Sequence, residues 1–387
     1  MATEIHSVYE SQENAPYDTL EFLGGGSHGA VHRIRHRGNG KYYAQKSIRM
    51  PHKWRSEREQ MVNKIKDEAR IIRRLRNNPH IVEVVATYET SSRFNPTFCI
   101  LLLPIAERDL GTTLDHIDQM PKGEEKNEAI FTMRHWAACL VRAMDYMHYN
   151  RVKHKDIKPT NILVRGDQVY ITDFGIARDF LLEADSESTA INVEGTRRYC
   201  PPEGLNQGRR GRASDIFSLG CCFLEMATVM TTSGQLGTLR QQNLVYAERE
   251  EHVLRWMYYL FSELAFLRRN KGEGGGLSTS TDNLILKHAP PLPALAFIMM
   301  DPTAAKRITA RQLVTLISIW SQDMYCDKCR VGVPSEDPTL GVHSKFKSRE
   351  NLEYPKNPAE VLKPTFALPR DWEDAKRFWL KDHMWWH

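Results

Sequence analysis

The segment His154-Lys155-Asp156-Ile157-Lys158-Pro159-Thr160-Asn161 holds an aspartate and an asparagine five positions apart, with a lysine between them. Such a trio suits work on phosphate. The carboxylate of Asp156 can orient or deprotonate a hydroxyl, Lys158 can neutralise phosphate charge, and the side-chain oxygen of Asn161 can ligate Mg²⁺. Downstream, Ile171-Thr172-Asp173-Phe174-Gly175 ends a short apolar run with a carboxylate fit for a hard cation, followed by an aromatic ring and a hinge glycine. Upstream, Tyr43-Ala44-Gln45-Lys46-Ser47-Ile48 places one lysine inside an apolar strand pattern. A lysine so placed needs a buried anionic partner. Glu68 qualifies, because it falls on the same helical face as Ile65, Ile72 and Leu75.

A glycine cluster precedes these residues: Leu23-Gly24-Gly25-Gly26-Ser27-His28-Gly29-Ala30-Val31. Glycines let a backbone come close to phosphates and aim N–H groups at them. A dinucleotide fingerprint would need a helix next. Here an extended pattern follows, Val31-His32-Arg33-Ile34. Taken alone, the cluster reads equally well as a plain hairpin turn.

The elements that must position these groups follow from patterning. Strand signals cover Leu20–Leu23, Val31–Arg35 and Tyr42–Ile48, with Asn39-Gly40 as a hairpin turn. Residues 54–76 carry helical periodicity through Met61, Ile65, Ile72 and Leu75, and Asn77-Asn78-Pro79 ends that helix. Strands are predicted near Ile81–Tyr88 and Phe98–Leu103. From about 125 onward the pattern is mainly helical: 125–149, then short strands around 162–172, then helices near 213–230, 241–269, 292–300 and 308–322. The stretch from Gly272 to Thr281 lacks apolar residues and reads as a flexible insertion, spanning about 271–283.

Composition narrows the class. The 387 residues are 41% hydrophobic and 26% charged, with a net charge of +5 from 53 basic and 48 acidic side chains. No long basic run accompanies that excess, which argues against a nucleic-acid binder. The start of the chain shows no apolar signal region. No apolar run approaches the roughly 18 residues that span a bilayer; the densest, Ala294 to Met300, reads as a core helix. The seven cysteines are mostly scattered singly, as free thiols are. The expectation is an intracellular protein, cytoplasmic or nuclear, without membrane contact.

In this order and spacing, the motifs resemble the eukaryotic protein kinase family, from about Tyr17 to Gln322. The resemblance implies an α+β, two-lobed protein kinase fold: a small β-rich N-lobe (17–104) with one helix and a larger, mainly helical C-lobe (105–322). Residues 1–16 would be a flexible leader and 323–387 a carboxy-terminal extension. By the same resemblance, the Gly24–Gly29 loop would cover the phosphates of ATP. Lys46 would hold the α/β-phosphates, anchored by Glu68. Asp156 would be the catalytic base, Lys158 a γ-phosphate contact, and Asn161 and Asp173 the Mg²⁺ ligands. Leu23, Val31, Ala44 and Leu163 would sandwich adenine, with the hinge near Leu103-Pro104-Ile105-Ala106. The implied substrates are protein serine and threonine hydroxyls. Asp215 would cap the catalytic loop, and Arg307 would pair with Glu203.

Lys158, two residues after Asp156, and Thr196, after Gly195, resemble serine/threonine rather than tyrosine kinases. The rival class is a pseudokinase, a binding module on the same fold. Such proteins usually lack one of Lys46, Asp156 or Asp173, and all are present here. One departure concerns regulation. Lys155 stands where the family usually has an arginine that binds a phosphorylated activation loop, and lysine lacks the bidentate fork. Ser186, Ser188 and Thr189 are candidate phosphosites in that loop. Cys326-Asp327-Lys328-Cys329 is a lone CxxC. A structural zinc needs four ligands, and His343 is the nearest spare one, so the pair reads as two free thiols in a turn. The aromatic helix around Trp256, Tyr258, Tyr259 and Phe261 reads as core, and the tryptophan-rich tail as a segment that docks on the domain or on a partner.

Overall fold

The computed structural model describes residues 6–26, 29–50, 55–91, 96–174, 197–206, 211–241, 244–272, 292–320, 324–330 and 371–375. Strands β1 (His6–Tyr9), β2 (Tyr17–Gly26), β3 (Gly29–His36), β4 (Tyr42–Arg49), β5 (Glu83–Thr90) and β6 (Thr97–Leu103) form one sheet in the order β1-β5-β6-β4-β3-β2. The turn between β3 and β4 closes as its sequence predicts. Gly40 takes φ 69°, open to glycine at no steric cost, and donates to the His36 carbonyl at 2.9 Å.

Helix α1 (Arg55–Arg74) buries Val62, Ile65, Ala69 and Ile72, one face at helical spacing, against Ile48, Phe98 and Ile100 of the sheet. Its end matches expectation, with the Asn78 side chain accepting from the His80 backbone N–H at 2.9 Å. The leader differs from its reading as flexible. Residues 6–9 pair in parallel with 87–90, so β1 extends the sheet beyond β5. Tyr9, Tyr17 and Tyr88 pack their rings there, which supplies the apolar contact a loose leader would lack.

Below the sheet, a helical lobe forms from α2 (Leu110–Gln119), α3 (Glu124–Tyr149), α4 (Arg212–Thr231), α5 (Glu250–Gly272), α6 (Leu292–Met299) and α7 (Ala310–Trp320). Helix α2 was missed by periodicity. It starts at an Asp109 side chain that accepts from the Thr112 N–H at 2.9 Å, a polar cap inside a mixed segment. Helix α4 is long and apolar enough to cross a membrane, yet its apolar window is 94% buried inside the lobe. It is the central core helix. A Cβ on Gly220 would come within 2.8 Å of the Met299 and Met300 side chains, so α4 and α6 meet at closest approach there. Helix α5 begins at Glu250, later than expected, and Trp256, Tyr258, Tyr259 and Phe261 are core, as read. Most of the expected insertion, from 273 on, lies outside the described residues.

Between the lobes runs a three-stranded sheet, β7 (Arg108–Asp109), β8 (Ile162–Arg165) and β9 (Gln168–Ile171). A backbone contact also ties the lobes here, away from the hinge. The His80 carbonyl accepts from Ile171 N–H at 2.8 Å, and Val82 N–H donates to the Ile171 carbonyl at 3.0 Å.

The described parts of the carboxy-terminal extension dock on the lobe. Tyr325 is wholly buried, and its hydroxyl donates to the Val314 carbonyl at 3.1 Å. Trp372 stacks on Phe297 with ring centroids 4.7 Å apart. Helix α8 (Asp327–Arg330) carries the CxxC pair. These cysteines are not a lone turn: Cys139 of α3 and His80 meet them. His343, the spare ligand named from sequence, lies outside the described residues.

Candidate active site

The groove between the lobes opens as a cleft of about 790 Å³ beside the hinge, lined by Leu23, Tyr43, Leu103, Ile105, Ala106 and Glu107 among others. That volume falls in the range of small-molecule sites. Of the four residues expected to sandwich adenine, Leu23 lines it, with Leu103 and Ile105 of the expected hinge, while Val31, Ala44 and Leu163 do not. Register places Val31 opposite Lys46 and Ala44 opposite Leu102, so Val31, Ala44 and Lys46 share one face of the sheet. Leu163 lies in β8, partly buried against the core. The Leu103–Pro104 peptide is cis.

The glycine cluster forms the end of β2 and the start of β3, with Gly24 opposite Val31, Gly25 opposite Ala30 and Gly26 opposite Gly29. It is a β-hairpin, not a strand-to-helix turn. Gly29 takes φ 123°, and a Cβ there would overlap the Ser47 carbonyl. The tip residues Ser27 and His28 lie outside the described residues.

Lys46, 12% exposed, forms an ion pair with Asp173. The two groups expected on either side of a polyphosphate therefore meet across the cleft. Glu68 falls within α1, but its side chain is outside the described ones, as is Gly175.

The 154–161 loop is a knot of hydrogen bonds. Lys158 Nζ lies 3.0 Å from Asp156 Oδ2. Asn161 Nδ2 donates to the Asp156 carbonyl at 2.8 Å and to its Oδ2 at 3.1 Å. With Nδ2 so engaged, Oδ1 is the Asn161 atom suited to a cation. The loop is tied to the Asp173 segment by Thr172 N–H, which donates to the Asn161 carbonyl at 3.0 Å. His154 adds a second tie. Its Nε2 meets the Thr172 carbonyl at 2.8 Å, and Nδ1 faces the Asp156 N–H at 3.3 Å. A carbonyl only accepts, so Nε2 carries the proton and Nδ1 accepts. The His154 ring packs on Phe174, centroids 4.9 Å apart.

Asp215, at the start of α4, is 1% exposed and accepts from His154 N–H at 3.0 Å and Lys155 N–H at 2.7 Å. This is the cap expected from sequence. His148 Nε2 adds a third donor at 3.0 Å. Arg307 meets Glu203 with two parallel bonds, 2.7 and 2.8 Å, also as expected. Ser214 Oγ donates to the same carboxylate at 2.8 Å. Burial works to raise the Glu203 carboxyl, but the Arg307 fork outweighs it and holds the group below its usual value.

Sequence reading missed a second buried anion. Glu225, wholly buried in α4, accepts from Tyr199 at 2.8 Å, Tyr246 at 2.9 Å and Arg240 at 2.6 Å. Burial, reinforced by that carboxylate, pushes both tyrosine hydroxyls well above their ordinary range and keeps them as donors. The network pins residues 198–200, where the segment from Asp173 rejoins the lobe. The signal was present. A glutamate within an apolar helix needs partners, the argument that selected Glu68. Residues 175–196, with Ser186, Ser188, Thr189, Gly195 and Thr196, lie outside the described residues.

Comparison with known proteins finds a protein kinase domain over residues 17–316. Serine/threonine-protein kinase 36 of Pongo abelii is 33% identical over 214 residues, which is 54% of this chain and 14% of that protein. Serine/threonine-protein kinase Nek3 of Oryza sativa subsp. japonica is 30% identical over 214 residues, 55% of this chain and 34% of its own. Serine/threonine-protein kinase TIO of Arabidopsis thaliana is 32% identical over 213 residues, 54% of this chain and 14% of its own. The chain thus matches well under two thirds of the length of these relatives. The domain match nevertheless takes in both lobes, the cleft and the 154–161 loop: the chain belongs to the eukaryotic protein kinase family, with relatives of the serine/threonine type.

Proposed function

We propose that this chain transfers the terminal phosphoryl group of ATP to serine or threonine hydroxyls of protein substrates. The observation that carries the reading is the cluster of Asp156, Lys158 and Asn161, in which Lys158 and Asn161 each lie within 3.1 Å of the Asp156 carboxylate, linked by backbone to the Asp173 segment. The donor set suits the cofactors. Asp173 and Asn161 offer oxygen, the ligand type hard divalent cations take. The cleft at the hinge has room for a purine, and Lys46 brings positive charge to the carboxylate of Asp173.

ATP with Mg²⁺ supplies the transferable group and offsets its charge. The rest is positioning and electrostatics by the chain. Asp156 orients the substrate hydroxyl and takes its proton, a contribution of about 10²–10⁴ in rate for a positioned base. Lys158, within reach of Asp156, supplies positive charge where negative charge develops. Lys46 holds the phosphate end against the β2–β3 hairpin, whose backbone N–H groups close over it. Leu23, Val31, Ala44 and Leu163 offer apolar contact to the base.

The test is Asp156→Ala. Nucleotide binding should stay close to wild type while peptide phosphorylation and autophosphorylation disappear. Autophosphorylation at the wild-type rate in that variant would sink the assignment, and a wild-type chain that binds nucleotide without transfer would favour a binding module.

A further inference from the structure

Four metal-seeking side chains converge at a point remote from the cleft. His80 lies between α1 and β5, Cys139 in the middle of α3, and Cys326 and Cys329 in the carboxy-terminal extension. One donor atom from each lies within 4.8 Å of the other three. His80, Cys139 and Cys329 are 1%, 1% and 4% exposed, while Cys326 is half-buried. Among the described residues this is the single group of donors arranged in this way.

We propose that His80, Cys139, Cys326 and Cys329 hold a structural zinc ion. Three thiolates and one imidazole make one of the standard closed tetrahedral sets for zinc. Zn–S bonds of about 2.3 Å in a tetrahedron set sulfurs about 3.8 Å apart, so the four donors need only a small contraction. The CxxC half has the local geometry of a metal turn: Cys329 N–H donates to the Cys326 carbonyl at 2.9 Å, so both sulfurs project to one side.

The histidine is oriented for the task. Its Nδ1 lies 2.8 Å from the Val169 carbonyl, which can only accept, so Nδ1 carries the proton. That leaves the Nε2 lone pair facing the sulfurs, with Cys326 Sγ at 3.2 Å. A backbone carbonyl fixing the far ring nitrogen is the usual partner of a zinc-bound histidine. Partial exposure of Cys326 gives the ion a way in.

The ion would join three segments far apart in the chain. It would fasten the extension to α3 and brace the 76–82 segment, whose His80 also bonds β9 by side chain and by backbone. Strand β9 ends two residues before Asp173. The extension would then be part of the catalytic domain's framework.

The experiment uses the full chain, purified without chelator. Elemental analysis should find equimolar zinc. Replacement by Co²⁺ should give the intense visible bands and near-ultraviolet thiolate charge transfer of a tetrahedral sulfur-rich site. Cys326→Ser with Cys329→Ser should abolish bound metal and the cobalt spectrum, while Cys200→Ser should keep both. Should Cys139→Ser fail to fold, zinc release from the wild-type chain by a mercurial reagent reads the same thiols. Absence of stoichiometric zinc overturns the proposal. So does zinc retained in the double variant, iron in place of zinc, or a Cys326–Cys329 disulfide in freshly purified protein.

Discussion

Asp215 Oδ1 holds the backbone N–H of Lys155 at 2.7 Å, and Lys155 is one of three non-glycine residues with positive φ among the described residues, at 68°. The left-handed conformation costs a side-chain-bearing residue about 1–3 kcal/mol. The Asp215 carboxylate is what stabilises it, and the turn so fixed presents Asp156 to the cleft. Asp215→Asn would place an amide N–H₂ against donors from His148, His154 or Lys155. It should destabilise the fold by about 1–3 kcal/mol for each buried donor left unpaired, and should lower kcat more than it raises KM for ATP. Thermal melting and steady-state peptide phosphorylation read the two effects; a variant matching wild type in both would contradict this role.

The Glu203–Arg307 fork predicts a pH response. The folded-state carboxyl lies below its ordinary value of 4.5, so the pair's stabilisation is present in full above that value. It is lost as pH falls from 4.5 through the depressed folded value, because protonation is then more favourable in the unfolded chain. Glu203→Gln should cost about 2–4 kcal/mol at neutral pH, somewhat under a fully buried pair because Glu203 keeps partial exposure. The same variant should flatten the acid limb of the stability curve. Urea unfolding across pH 3–7 (about that window) tests the sign, and an unchanged acid limb would reject it.

Gly29→Ala tests the hairpin over the cleft. At φ 123°, with the Ser47 carbonyl of β4 in the way, an added methyl forces the start of β3 away from β4, and the β2–β3 turn moves with it. The expected outcome is a KM for ATP raised by roughly tenfold, from about 1–3 kcal/mol of local strain. Melting temperature should fall as well, since the folded state carries the strain. Equal affinity for ATP in the variant would show that the hairpin does not approach the phosphates.

Trp372→Ala should release the described segment 371–375 from the lobe. The residue is 4% exposed, its ring stacks on Phe297, and its backbone N–H donates to the Glu250 carboxylate at 2.9 Å. The loss is bounded by the roughly 3–5 kcal/mol of a buried tryptophan truncation. Hydrogen exchange should rise across 371–375 and in α6 while activity stays near wild type. Exchange confined to wild-type levels would mean that other contacts dock the tail.

Much of the fold was legible because its signals are local. The Asn39-Gly40 turn, the apolar face of α1 and the glycine cluster each announce themselves within a few residues, and the 154–161 and 171–175 motifs carry their chemistry in fixed spacing. What escaped depends on contacts far apart in the chain. The strand at 6–9 has only four residues and forms because β5 offers a free edge. The partners of Cys326 are 246 positions away at His80 and, nearer, at Cys139, beyond any spacing rule. Glu225 was readable in principle, but its partners Tyr199, Arg240 and Tyr246 were not.

The pairing of His80 and Val82 with Ile171 has a mechanical consequence. Besides the Lys46–Asp173 ion pair, which opening would break, the lobes are joined at Leu103–Ala106 and at this backbone contact, and those two attachments leave rotation about the line between them as the softest relative movement. The β2–β3 hairpin, which shares in neither attachment, then moves with the upper sheet, while Asp173, two residues from Ile171, shifts little. Cleft opening becomes a swing of the roof over a stationary floor.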